Sequence, residues 1–172
     1  MPLILVTIFC LLLSACGPPS DPLENKIKEL VINIKEEPDN PALYYELGKA
    51  YIENKKYNSA YRELVKAIRL KKDYGEAYRE KGIALFYLNK YSDSEKALQK
   101  SFKLNPSQKD IATDLGSIFI ATGNIKKSLQ LLKYAKRKNS NMHVVFNNMG
   151  AAHAEIGRNK DCLLYTSDAA DE

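Results

Sequence analysis

PALYYELGKAYIENKKYNSAYRELVKAIRL, residues 41–70, is followed by GEAYREKGIALFYLNKYSDSEKALQKSFKL, residues 75–104, and the second segment reads as the first displaced by 34 positions. The displacement continues along the chain, because Gly48, Gly82, Gly116 and Gly150 stand 34 residues apart. Their surroundings repeat too. Tyr44, Tyr78, Ala112 and Phe146 form one column; Leu47, Lys81, Leu115 and Met149 form the next; Tyr51, Leu85, Phe119 and His153 follow the glycine. Further on come a small column (Ala60, Ser94, Ser128), a large one (Leu64, Leu98, Leu132) and another small one (Ala67, Ser101, Ala135).

Aromatic, Leu-Gly, aromatic, small, large and small columns at this fixed period resemble the tetratricopeptide repeat, a helix-turn-helix unit. The resemblance spans residues 41–161 and implies an all-α fold, a right-handed solenoid of stacked helical hairpins. In such a unit two antiparallel helices approach closely where side chains are small. Glycine admits the neighbouring helix, at about 1 kcal/mol of helix propensity. Gly48, Gly82, Gly116 and Gly150 are therefore assigned to repeat packing.

The repeats divide as 41–74, 75–108, 109–142 and a partial fourth at 143–161. Asn40-Pro41 is a helix start, with Asn as N-cap and Pro in the first turn. Helices are expected at about 41–54 and 57–70, 75–88 and 91–104, 108–121 and 125–138, and 142–156, at the periodicity of amphipathic helices. Asp73 with Glu76, and Ser107 with Asp110, have the spacing of capping boxes. Gly123-Asn124 supplies an internal turn. Residues 24–37 place Ile27, Leu30, Val31 and Ile34 on one helical face, which reads as a cap over the apolar flank of the first repeat. A second helix for the fourth repeat is due near Lys160 but the pattern fails there. Residues 162–172, CLLYTSDAADE, resemble one reading frame of a transposon-end sequencing adapter and are set aside from fold reasoning.

The amino terminus has a different character. Leu3–Leu13 is an apolar run of 11 residues, too short to span a bilayer and the length of a signal-peptide core. It ends in Leu13-Ser14-Ala15-Cys16, which resembles a bacterial lipobox. That resemblance implies a leader at 1–15 and a lipidated Cys16 opening a proline-rich tether at 16–23. No Lys or Arg precedes the apolar run, and an ordinary secretory leader or a buried helix is the alternative reading. Gly17 in place of aspartate points by resemblance to the outer membrane, facing the periplasm. The three cysteines, Cys10, Cys16 and Cys162, leave no framework of disulfides.

Charge is unevenly spread. The chain has 26 basic and 21 acidic residues, net +5, and the set-aside tail holds three of the acids, leaving +8. First helices of the repeats (41–54, 75–88, 107–121, 142–156) carry 4 basic and 7 acidic residues. Second helices with their flanks (55–72, 89–104, 124–138) carry 17 basic and 3 acidic. In the family the first helices line a concave groove, so the resemblance implies an acidic groove and a basic back. A basic back suits anionic lipid or is simply a solvated lysine-rich exterior.

By the same resemblance the groove presents Tyr45, Lys49 and Ile52, then Arg79, Glu80, Ile83, Phe86 and Tyr87, then Asp110, Asp114 and Ser117. Aromatic and aliphatic groups interleaved with charge suit a peptide ligand. The carboxylate clamp of some cytosolic members is missing, since Tyr45, Glu80, Asp110 and Asp114 stand in its columns beside a single useful cation, Lys49. No constellation for catalysis, metal or cofactor binding appears, and His153 falls in a packing column. The expectation is therefore a membrane-anchored interaction scaffold, with a protein or peptide partner and no nucleic acid. It is similar in make-up to the type IV pilus biogenesis lipoproteins that help a secretin assemble. The alternative is a targeting module of a longer envelope enzyme, a peptidase or cell-wall enzyme.

Overall fold

The computed structural model describes residues 21–105, 110–138 and 140–168, with side chains as far as Gly157. The described residues form eight helices and no strand: α1 Pro22–Glu36, α2 Pro41–Glu53, α3 Tyr57–Leu70, α4 Gly75–Tyr87, α5 Tyr91–Leu104, α6 Ile111–Ala121, α7 Ile125–Arg137 and α8 Met142–Asp168. The leader, Cys16, Ser107 and Lys109 lie outside the described residues. None of the helices among the described residues is long and apolar enough to cross a membrane.

Side-chain caps open α1 and α2. Asp21 accepts a hydrogen bond from the Leu23 amide (3.0 Å), so α1 begins inside the stretch expected to be tether. Asn40 accepts from the Ala42 amide (3.0 Å) and Pro41 opens α2. The capping box expected at Asp73 does not form. Gly75 is the first helical residue and Tyr74 precedes it without a side-chain cap, one position later than an Asp73 cap requires. Asp73 instead lies in the turn, its carbonyl accepting from the Gly75 amide (3.0 Å). Helix α6 starts at Ile111, later than the expected 108, with Asp110 at its cap position and no side-chain cap bond.

Each hairpin closes on its glycine. A Cβ on Gly48 would sit 2.6 Å from Leu64 Cγ, on Gly82 2.7 Å from Leu98 Cγ, and on Gly116 2.9 Å from Leu132 Cδ2. The three leucines are fully buried, so no side chain larger than hydrogen fits without moving a packed core residue. The small column adds a polar lock in two units. Ser94 Oγ donates to the Gly82 carbonyl at 2.6 Å and Ser128 Oγ to the Gly116 carbonyl at 2.8 Å, both buried. In the first unit Ala60 holds that place with no hydroxyl. The turn inside each hairpin also repeats: Lys55 (φ 55°), Asn89 (φ 59°) and Gly123 (φ 74°) all enter the left-handed region, 34 residues apart.

Stacking places the layers. Consecutive first helices approach backbone to backbone, α2 with α4, α4 with α6 and α6 with α8, whereas the backbones of α3, α5 and α7 stay apart and α5 meets α7 only through side chains, Phe102 edge-on to Tyr134 at 6.4 Å. The first helices are thus the inner, concave layer and the second helices splay on the convex side. Helix α1 covers the outer flank of the first unit: Leu23, Ile27, Leu30 and Ile34 pack against Leu43, Leu47, Ala50 and Tyr51. Val31, expected on that face, is 37% exposed. The residues that pack run 23, 27, 30, 34, which centres the face away from position 31.

The fourth unit departs from the columns. Helix α8 packs through Val145 against Ala112 and Ala135, with Met149 alongside. It then continues to Asp168 in place of ending near 156. A Cβ on Gly150 would meet nothing within 4 Å among the described residues, and His153, expected in the core, is exposed. Among the described residues no side chain is seated where a Cβ on Gly150 would lie, as Leu64, Leu98 and Leu132 are on Gly48, Gly82 and Gly116.

Candidate functional site

The inner layer brings four first helices side by side, and an ion-pair network crosses from one to the next. Arg79 on α4 donates from Nε to Asp114 Oδ2 on α6 at 2.7 Å and from Nη1 to Glu80 Oε1 at 3.3 Å. All three side chains are about four-fifths buried. Lys49 on α2 reaches Glu46 at 3.4 Å and lies 5.2 Å from the centre of the Tyr45 ring. Ser117 on α6 donates to the Thr113 carbonyl (3.1 Å) and accepts from Asn148 Nδ2 on α8 (2.7 Å). Polar contacts thereby tie α4, α6 and α8 along the groove floor.

Burial sets the electrostatics. It raises the Glu80 carboxyl above its ordinary range, with Arg79 opposing and the Asp114 and Glu46 charges adding to the rise. Burial raises Asp114 likewise, opposed by the Arg79 charge and hydrogen bond. For Arg79, burial works against the charge but the carboxylates of Asp114, Glu80 and Asp110 outweigh it, so the guanidinium is held above its usual value. The Tyr45 phenol is pushed up to about 12, by burial first and then by Glu80, Glu46, Tyr74 and Glu76. Carboxylates outnumber cations on this floor, and the one guanidinium is already engaged.

Two adjoining cavities open from the network. The larger, about 240 Å³, is lined by Ile83, Phe86, Tyr87, Leu98, Asp114, Ser117, Ile118 and Val144. Its walls are largely apolar, with Tyr87 stacked on Tyr57 (4.6 Å, 10°) at an exposed edge. The smaller, about 140 Å³, is lined by Arg79, Asp110, Thr113, Asp114, Asn141 and Val144. Thr113 Oγ1 there is buried with no hydrogen-bond partner among the described residues. Such a group leaves about 1–3 kcal/mol unrecovered until something bonds to it.

The structure brings Arg79, Glu80, Asp114, Ser117, Ile83, Phe86 and Tyr87 into one continuous site, with Asp110 at its edge. Tyr45, Lys49 and Ile52 lie one helix away: Tyr45 faces the Tyr74 ring at 5.1 Å, and Ile52 packs against the core of the first unit. Val144 and Asn148 belong to the site although the sequence reading stopped its groove columns at the third repeat. They occupy the columns of Asp110 and Asp114 one period on, which is the signal that finds them. Among the described residues no group of His, Cys, Asp and Glu has the arrangement of a metal site.

Comparison with known proteins agrees with this architecture. Residues 41–74 and 79–143, together more than half of the chain, match family models described as Tetratricopeptide repeat. Among solved structures the chain is similar to MamA (TM-score 0.69, 23% identity, 84% of this chain and 85% of that one). It is also similar to a thermophilic TPR protein of Thermus thermophilus, TTC0263 (TM-score 0.64, 17% identity, 73% and 70%). A third is the first TPR of Spaghetti (RPAP3) bound to the HSP90 peptide SRMEEVD (TM-score 0.55, 27% identity, 56% and 77%). No curated protein matches significantly.

Proposed function

The chain belongs to the tetratricopeptide-repeat family, and on that footing we propose that it is an interaction scaffold whose concave groove holds a peptide segment carrying an apolar side chain beside a cationic one. The observation that carries this is the adjacency of the two cavities: Asp114 and Val144 line both. An aromatic or branched side chain fills the apolar cavity while a lysine or arginine reaches Glu80, Asp110 and Asp114. The peptide SRMEEVD held by the Spaghetti repeat is acidic at its end. Here the carboxylates of the groove repel such a ligand and favour the opposite charge. The resemblance to a lipobox at Cys16 supports an anchor on a bacterial envelope membrane, where the partner is an envelope protein.

A pH dependence follows. Free Glu80 and Asp114 have raised values, and a bound cation returns both to the ionised form with release of protons. Affinity for a cationic peptide therefore rises with pH through the raised carboxyl range and levels off above it. The test is fluorescence anisotropy with labelled decapeptides, one phenylalanine and two lysines in a Gly/Ser background, against the same peptides with glutamates for lysines. The lysine peptides bind, and Glu80→Lys with Asp114→Lys reverses the preference while helicity by circular dichroism is kept. Failure of both peptide classes to bind, or a double variant that binds as the parent does, removes the groove from this role.

A further inference from the structure

We propose that the convex face of the solenoid is a docking surface for a bilayer of anionic phospholipid, so that the groove is presented away from the membrane. Two independent features of that face carry the inference. The first is charge. All 17 basic residues of 55–72, 89–104 and 124–138 are exposed, and the ion pairs there are Lys66–Glu63 (2.9 Å) and Lys96–Asp93 (3.5 Å). The stretch 124–138 has six cations and no acid. A surface of this kind is drawn to anionic headgroups and loses that attraction as salt shortens the Debye length.

The second feature is relief. Because the backbones of α3, α5 and α7 stand apart, with α5 and α7 bridged only by the Phe102–Tyr134 edge contact, part of the first helix between each pair faces the convex side. One cleft, with polar and apolar lining in equal measure, has Tyr78 and Leu85 on its floor, with Tyr61, Lys81, Lys90 and Lys96 around it and Asp93 as its one carboxylate. The other, about 390 Å³, has Phe119 on its floor and Phe102, Leu131 and Tyr134 on its walls. Leu85 and Phe119, Lys96 and Gln130, and Ala97 and Leu131 are pairs 34 residues apart, so the clefts are one feature repeated. Lysines lie against their aromatic rings, Lys81 at 5.7 Å from Tyr61 and Lys127 at 5.5 Å from Phe119. Aromatic and apolar troughs rimmed by lysine ammonium groups match the boundary between headgroup and acyl chain.

A polyanion in solution would satisfy the charge and leave the apolar clefts unused, which favours the bilayer. Position agrees. Helix α1 begins at Pro22, six residues after Cys16, and six residues span at most roughly 20 Å. The nearness of the membrane rests on the lipobox, but the charge and the clefts do not.

The experiment adds the full chain, in dilute detergent, to vesicles of phosphatidylcholine alone or with phosphatidylglycerol. The apolar leader contributes to both alike, so the difference between them reads the convex face. The expected result is roughly tenfold stronger sedimentation with the anionic vesicles at low salt, lost at high salt. Lys126→Glu with Lys127→Glu and Lys133→Glu, all exposed, removes that difference. Amine acylation footprinting adds position: anionic vesicles protect Lys126, Lys127 and Lys133, whereas Lys26, Lys28 and Lys49 stay reactive. Equal binding to both vesicles, an unaffected triple variant, or protection centred on α1 overturns the proposal. So does protection of the convex lysines by an oligonucleotide when vesicles give none. A groove that fails to bind lysine peptides leaves this result untouched.

Discussion

Gly123 and Gly157 occupy one column of the repeat, yet Gly123 turns the chain at φ 74° and Gly157 lies within helix α8. The same contrast separates Gly116, with Leu132 pressed on it, from Gly150, where an added Cβ would meet nothing among the described residues. A glycine permits a turn or a close approach and enforces neither. What bends the chain at Lys55, Asn89 and Gly123 is the helix that follows, held to its partner by a leucine knob. Lys55 takes the left-handed conformation without being glycine or asparagine, so packing overrides local preference there. In the fourth unit no such knob presses on Gly150 among the described residues, and helix α8 continues to Asp168.

The largest test of that contrast replaces the glycines. Gly82→Leu forces a side chain onto Leu98 and is expected to cost about 3 kcal/mol or more, whereas Gly150→Leu costs under about 1 kcal/mol. Urea unfolding of the two variants checks this, and equal losses would erase the distinction between closed and open units. Next comes the charge bridge between units. Asp114→Ala leaves Arg79 with only Glu80, and the expected loss is roughly 2 kcal/mol by thermal unfolding.

Smaller effects sharpen the comparison. Ser94→Ala makes the second unit like the first, where Ala60 stands, and should cost about 1 kcal/mol through the lost bond to the Gly82 carbonyl. Gly150→Ala is expected to stabilise by about 0.5–1 kcal/mol, because a mid-helix glycine with open space around it gains helix propensity and meets no clash. Lys55→Gly, at φ 55°, should stabilise by a few tenths to about 1 kcal/mol if strain there exceeds the added chain entropy of glycine. A loss at Lys55→Gly would mean that its side chain is worth more than the relief of its backbone.

The period was legible because stacking imposes one residue type per column, and helices α2 to α5 fall within a residue of the spans it implies. Capping was less legible: Asp73 and Glu76 have the right spacing, but the turn before α4 puts the helix start at Gly75, one residue later than an Asp73 cap requires. The groove was half legible. Columns located Arg79, Glu80, Asp114 and Ser117, but pattern alone holds no distance, and neither the bridge across 35 positions from Arg79 to Asp114 nor the unpartnered Thr113 hydroxyl has a local signature.

The sequence by itself determined the unit, its length, the identity of the small and large columns and the opposite signs of the two helical layers. These follow from composition at fixed spacing, which any chain segment carries within itself. Tertiary structure alone decided which glycine is a contact, which carboxylates share the buried Arg79 guanidinium, and that clefts open between the second helices. Each of those depends on what a second segment brings within a few ångströms, and that is a property of the fold and not of the stretch.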